Sequence, residues 1–150
     1  MSRQAIALAM TGASGAVYGL RLLECLLQAQ KTVYLMLSPA AQIVLAQETD
    51  LKVPGTPAEQ EKFFSARYHA RAGQLKVFGS SAWFSPPASG SNAQQAMVVC
   101  PCTSGALAAI AQGSADNLIE RAADVAFKEG RKLILVPREM PLSAIHLENM

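Results

Sequence analysis

The chain has 150 residues, 51% of them apolar, with 13 basic and 11 acidic side chains and a formal net charge of +2. That length supports one domain with its own core, and the near-balanced charge gives no general case for nucleic acid. No apolar run reaches the roughly 18 residues that a membrane helix needs.

Met1–Gln4 leads directly into Ala5-Ile6-Ala7-Leu8-Ala9-Met10, an unbroken apolar run that reads as a strand buried on both faces. The start leaves no room for a signal peptide. Thr11-Gly12-Ala13-Ser14-Gly15 follows, then a helix from Ala16 to Gln28 with apolar residues at 16, 20, 23 and 27. Such a strand, glycine turn and helix point free N–H groups at one spot, where the helix dipole favours a phosphate. Val33 to Leu37 is the second strand. Ser38-Pro39 starts the next helix as N-cap and N1, and Glu48 falls near its end. Asp50 to Gly73 is an irregular excursion in which Ala58 to Arg71 forms a charged surface helix. Leu75 to Phe78 is a short strand.

Gly79 to Gln95 is rich in Ser, Pro, Gly and Asn, and loops of that length usually bind something or lack order. Trp83 and Phe84 inside it are expected to pack under the loop or at a subunit contact. Ala96 to Pro101 is another buried strand, opening through Cys102-Thr103-Ser104-Gly105 into an Ala-rich helix to about Gln112. Asn117 to Glu129 is amphipathic and Gly130 stops it. Arg121, Asp124 and Lys128 share one face, which by itself reads as a solvated, salt-bridged surface. Lys132 to Val136 is the last strand, and Arg138-Glu139 lies between Pro137 and Pro141, just past its carboxyl end.

Alternating strands and helices predict a single α/β domain over 1–150. Its fold is a Rossmann-like or flavodoxin-like doubly wound parallel sheet in three α/β/α layers. Ligands of such sheets bind past the carboxyl ends of the strands, where Arg138 and Glu139 stand. A dinucleotide site would show G-x-G-x-x-G and an acid ending the second strand. Here the glycines are Gly12, Gly15 and Gly19, the second strand ends in Ser38, and no tyrosine has a lysine four residues on. A mononucleotide is the better match. Cys25, Cys100 and Cys102 are odd in number and lie among apolar residues, as reduced thiols of a cytoplasmic protein do. With only His69 and His146 to join them, no metal site is expected.

Further, the sequence resembles the flavin prenyltransferase (UbiX) family, formerly described as 3-octaprenyl-4-hydroxybenzoate carboxy-lyases. The resemblance runs through Thr11-Gly12-Ala13-Ser14-Gly15-Ala16-x-Tyr18-Gly19, Ser38-x-Ala40-Ala41, Glu48-Thr49-Asp50 and Ala88-Ser89-Gly90-Ser91. It continues through Pro101-Cys102, Asp116-Asn117-Leu118, Arg121 to Val125, Lys128-Glu129 and Val136-Pro137-Arg138-Glu139-x-Pro141…His146-Leu147. It implies FMN, held by Gly12, Ala13, Ser14, Ser38, the turn Thr103, Ser104, Gly105 and Ala106, and Arg138. It implies transfer of dimethylallyl from dimethylallyl phosphate to N5 and then C6 of reduced FMN, giving prenylated FMN for a UbiD-type decarboxylase in ubiquinone biosynthesis or aromatic acid decarboxylation. By the same resemblance Arg121, Lys128, Arg138 and Ser89 hold the substrate phosphate, and Glu139, Glu48, Ser14 and Lys128 are catalytic. No metal enters, and the assembly is a homo-oligomer, a dodecamer in the family.

Two positions depart from the family pattern: Thr103 stands where serine is usual, and Ala106 where threonine is usual. The family also runs on past its His-Leu-x-x-Met segment, so a C-terminal strand and helix are expected beyond the 150 residues. Two other readings remain open. One is an FMN-dependent decarboxylase of aromatic acids or Cys-peptides; the other is a non-catalytic FMN-binding subunit. The Cys-peptide enzymes resemble one another through Pro-Ala-Ser-Ala-Asn-Thr and an early helix histidine, whereas Pro87-Ala88-Ser89 here continues Gly90-Ser91-Asn92 and Ala16–Leu27 has no histidine.

Overall fold

The computed structural model describes residues 5–92 and 94–150; the N-terminal lead Met1–Gln4 and Ala93 of the long loop lie outside the described residues. Five parallel strands, β1 (Ala5–Met10), β2 (Thr32–Leu37), β3 (Leu75–Phe78), β4 (Ala96–Cys102) and β5 (Lys132–Pro137), form one sheet in the order β3-β2-β1-β4-β5. Helices α1 (Ala16–Gln28), α2 (Pro39–Glu48) and α3 (Pro57–Arg67) connect β1, β2 and β3, and α4 (Ser104–Ala111) and α5 (Leu118–Lys128) connect β4 to β5. The strand order grows one way from β1 and the other way from β4. Right-handed crossovers therefore put α1–α3 on one face and α4–α5 on the other. This is the doubly wound, three-layer α/β/α arrangement that the alternating pattern predicts.

Two apolar cores follow from strand alternation. Leu8 and Met10 of β1 face α1 and α2, meeting Leu20, Leu23, Leu27 and Leu45, with Phe64 of α3 beneath β2 and β3. Ala5, Ala7 and Ala9 face the other way, onto Ala122, Ala123 and Ala126 of α5. Alanine on both sides lets that helix lie close to the sheet. On the first side the packing is by large side chains, and truncating a buried leucine such as Leu35 would cost about 2–5 kcal/mol.

Some expected elements differ. The helix expected over 58–71 ends at Arg67, because Tyr68 caps it and His69 turns into the left-handed region at φ 55. The long loop is ordered into two short 3₁₀ turns, Pro86–Ala88 and Gly90–Asn92, with Ser85, Pro87 and Ala88 buried. Trp83 and Phe84 do not pack beneath it; in the single chain Phe84 is fully exposed. A short helix, α6 (Ala144–Asn149), follows β5. Ser143 and His146 form its reciprocal cap, Ser143 accepting from the His146 N–H at 3.1 Å and donating its own N–H to Nδ1 at 3.1 Å.

Candidate nucleotide site at the switch in strand order

β1 and β4 are neighbours whose chains leave in opposite directions, so a crevice opens beyond their carboxyl ends. Its cavity has a volume of about 240 Å³ and is walled by Thr11, Gly12, Ser38, Ala40, Thr103, Gly105, Ala106, Asn117, Ile119 and Glu120. Three helices begin at this wall, each capped by a side chain. Ser38 accepts from Ala41 N at 3.0 Å, Thr103 from Ala106 N at 2.9 Å and Asn117 from Glu120 N at 2.9 Å. Each cap satisfies one orphan N–H and leaves the others, with the positive dipole end, facing the cavity. The acid on the wall, Glu120, is turned back onto the Asp116 N–H at 2.8 Å. Gly12 has no room for a side chain, since a Cβ there would collide with the Cβ of Ala40. The cavity is thus built for an anion, and a nucleotide phosphate fits that chemistry.

The first glycine turn behaves differently from its sequence reading. Gly15 lies at φ 107 and opens α1, but the Gly15 and Ala16 N–H groups donate at 3.0 Å to the carboxylate of Glu48. The end of α2 has delivered its own anion to the start of α1. Hydrogen bonds from the Ser14 hydroxyl, then from those two N–H groups, hold Glu48 below the ordinary carboxylate range, and the Arg138 charge adds a smaller pull. Ser14 and Glu48 therefore form one exposed polar group, within reach of the Arg138 charge. The N–H groups expected to receive a phosphate at the α1 terminus are thus partnered by Glu48, whereas three further helices, α2, α4 and α5, begin at the cavity.

Gly12, Ser38, Thr103, Gly105 and Ala106 line this cavity, with Ser104 in the same first turn of α4. Ala13 is buried behind the turn. Glu139, half-buried, follows Arg138 past β5. Arg121, one turn into α5, pairs with Asp124 at 3.4 Å. Lys128 ends α5, about 15 Å along the axis from its first residue at 1.5 Å per residue. Gly90, next to Ser89, packs there: a Cβ on Gly90 would come within 2.6 Å of Glu129 Oε1. The four residues expected to share a phosphate therefore do not meet within one protomer. Ser89 and Lys128 stand at one end of α5, and Arg138 stands at the other with Glu48. Periodicity puts Arg121 and Lys128 on one helix face, but it does not register that seven residues separate them by two turns.

Asn117, Ile119, Glu120 and Thr11 belong to the wall and were not among the candidate site residues, although Thr11 and Asn117 stand in the motifs quoted above. Asn117 with an acid three residues on is a helix-start signal that could have revealed the third helix end. Outside the site, a shallower hollow of about 600 Å³ lies beside α1, lined by Arg21, Glu24, Asp50, Arg67 and Tyr68 among others. Among the described residues no cluster of three His, Cys, Asp or Glu side chains could hold a metal ion. No helix of the described residues is long and apolar enough to cross a membrane.

The family model described as Flavoprotein matches residues 1–150. A flavin prenyltransferase UbiX from Pseudomonas aeruginosa is 59% identical over 145 residues, covering 97% of this chain and 69% of the relative. The chain belongs to the flavin prenyltransferase (UbiX) family of flavoproteins. Solved members of this family share its fold. AnUbiX in complex with FMN and dimethylallyl pyrophosphate superposes with a TM-score of 0.82 at 38% identity, over 99% of this chain and 71% of that one. A dodecameric FMN-dependent UbiX-like decarboxylase from Escherichia coli O157:H7 gives 0.81 at 38%, over 97% and 73%.

Proposed function

We propose that this protein is a flavin prenyltransferase that binds FMN in the crevice between β1 and β4. There it transfers a dimethylallyl group from dimethylallyl phosphate to the flavin, and the prenylated FMN passes to a UbiD-type decarboxylase. The observation that carries the reading is the meeting of three side-chain-capped helix starts on one cavity at the switch in strand order, in a chain 59% identical to a flavin prenyltransferase. Bound and reduced, FMN supplies the nucleophilic N5 and C6 positions. The protein supplies the rest. Gly12, Ser38 and the Thr103–Ala106 turn receive the flavin phosphate, and Arg138 adds charge at the outer edge.

Breaking an allylic C–O bond loads negative charge onto the departing phosphate, which fixed cations stabilise without reorganising. Arg121, Lys128 and Ser89 are suited to that task, and because Lys128 and Ser89 stand at the end of α5 away from Arg138, a neighbouring protomer of a homo-oligomer brings those two to the flavin. Glu139 supplies the proton that the leaving phosphate takes up. Glu48, held ionised by Ser14 and the α1 terminus, acts as a fixed negative charge rather than an acid. The three cysteines are all unpaired, which suits a reducing cytoplasm.

The test is mass spectrometry of flavin extracted after anaerobic incubation with reduced FMN and dimethylallyl phosphate. A mass gain of one prenyl group is expected. Unmodified flavin together with carbon dioxide released from an aromatic acid would replace this reading with a decarboxylase.

A further inference from the structure

We infer that Thr11 is a positioning residue for the flavin phosphate, setting the spacing between the two turns that receive it. The inference rests on the FMN placement above. The ladder between β1 and β4 runs from Ile6 opposite Ala96 to Ala9 opposite Val99 and stops there. β4 then becomes irregular, its register against β5 shifting between Val99 and Cys102. Beyond that point ordinary strand pairing no longer relates the Gly12 turn to the start of α4.

Thr11 takes over that connection. Its hydroxyl donates to the Pro101 carbonyl at 2.8 Å and accepts the Thr103 N–H at 2.9 Å, while its own N–H donates to the same carbonyl at 3.2 Å. The partners are 90 and 92 residues away in sequence, and Thr11 is buried. The residues joined are the immediate neighbours of Gly12 on one side and the α4 N-cap itself on the other. A hydroxyl that both donates and accepts fixes direction as well as distance, which a single bond would not. Valine has the same shape without the hydroxyl and would strand the Thr103 N–H. The N-cap turn could then drift relative to Gly12.

The experiment is flavin titration of the flavin-free protein, followed by fluorescence quenching, with FMN and riboflavin as the two probes. Riboflavin lacks the phosphate and reports everything except the cradle. In Thr11→Val we expect FMN affinity to fall about tenfold to a hundredfold, the range expected for stranding one buried donor, with riboflavin affinity unchanged. Thr11→Ser, which keeps the hydroxyl, should restore FMN affinity. Equal weakening toward both flavins, or none, would overturn the role of Thr11. So would a Thr11→Val chain that lacks native circular dichroism while Thr11→Ser keeps it, because the bond would then serve folding alone. A wild-type protein with no preference for FMN over riboflavin would instead overturn the phosphate placement itself.

Discussion

Glu48 is exposed, yet its carboxylate is held by Ser14, Gly15 and Ala16, and its pKa lies below the ordinary 4.5. A carboxylate with a depressed folded pKa adds stability above its unfolded value and loses it as pH falls through the folded one. Urea midpoints measured from pH 7 downward should therefore drop below about pH 4.5, and the drop should be shallower in Glu48→Gln, which cannot titrate. An identical acid slope in both chains would show that Glu48 is not held this way. Glu139 is predicted to act in chemistry only: Glu139→Gln should bind FMN as the wild type does and transfer prenyl at least about tenfold more slowly, as loss of a general acid does. The thiols separate by burial. Cys25 is exposed, whereas burial pushes Cys102 up to about 11 and raises Cys100 as well. Iodoacetamide at pH 8 should add one label to the native chain, on Cys25, and three only in urea.

At the scale of the element, helix starts have two separable roles. Thr56 caps α3, away from the cavity, accepting from Glu59 N at 3.4 Å and donating to its carboxylate at 2.9 Å. Asn117 caps α5 and also lines the cavity. Alanine at either position should lower stability by about 0.5–2 kcal/mol. Only Asn117→Ala should also weaken FMN binding, because only there does the freed N–H group disturb the anion site. Parallel denaturation and flavin titration of the two variants would separate the roles. Most elements were legible beforehand from Ser38-Pro39, from the β-α-β-α alternation and from Asn117 with Gly130 around an apolar stripe. The α3 end was not, because His69 adopts a left-handed turn that no glycine announces. The order inside the long loop was not, because it comes from burial of Pro87 and Ala88 under α5 rather than from local preference.

At the scale of the whole molecule, the residues proposed for the substrate phosphate stand at opposite ends of α5 in one protomer, Lys128 and Ser89 at one and Arg138 at the other. If subunit contact completes the site, Glu48→Gln and Lys128→Ala spoil different halves. Each variant alone should have little prenyl transfer. Unfolded together and refolded, random pairing restores about one site in four to wild-type composition, and activity should return to about that fraction. No recovery from the mixture would show that one protomer supplies both residues to each site. At the edge of the sheet β5 leaves Ile134 and Val136 exposed, with Met140 and Ile145 beyond it.

The amino-acid sequence by itself determined the layered α/β fold, the order of its elements and the family. Those depend on periodicity, caps and short motifs that act over a few residues. It also brought Gly12, Thr103 and Arg138 forward as candidates, since each follows a strand and such sheets bind ligands there, and Ser38 through the family resemblance. Only the tertiary structure decided which helix starts face one another, because that depends on contacts between residues about ninety apart, such as Thr11 with Pro101 and Thr103. It filled the α1 terminus with Glu48 and brought the starts of α2, α4 and α5 to one cavity. It also divided Arg138 from Lys128, since residues listed together in a motif are held apart by the rigid length of a helix.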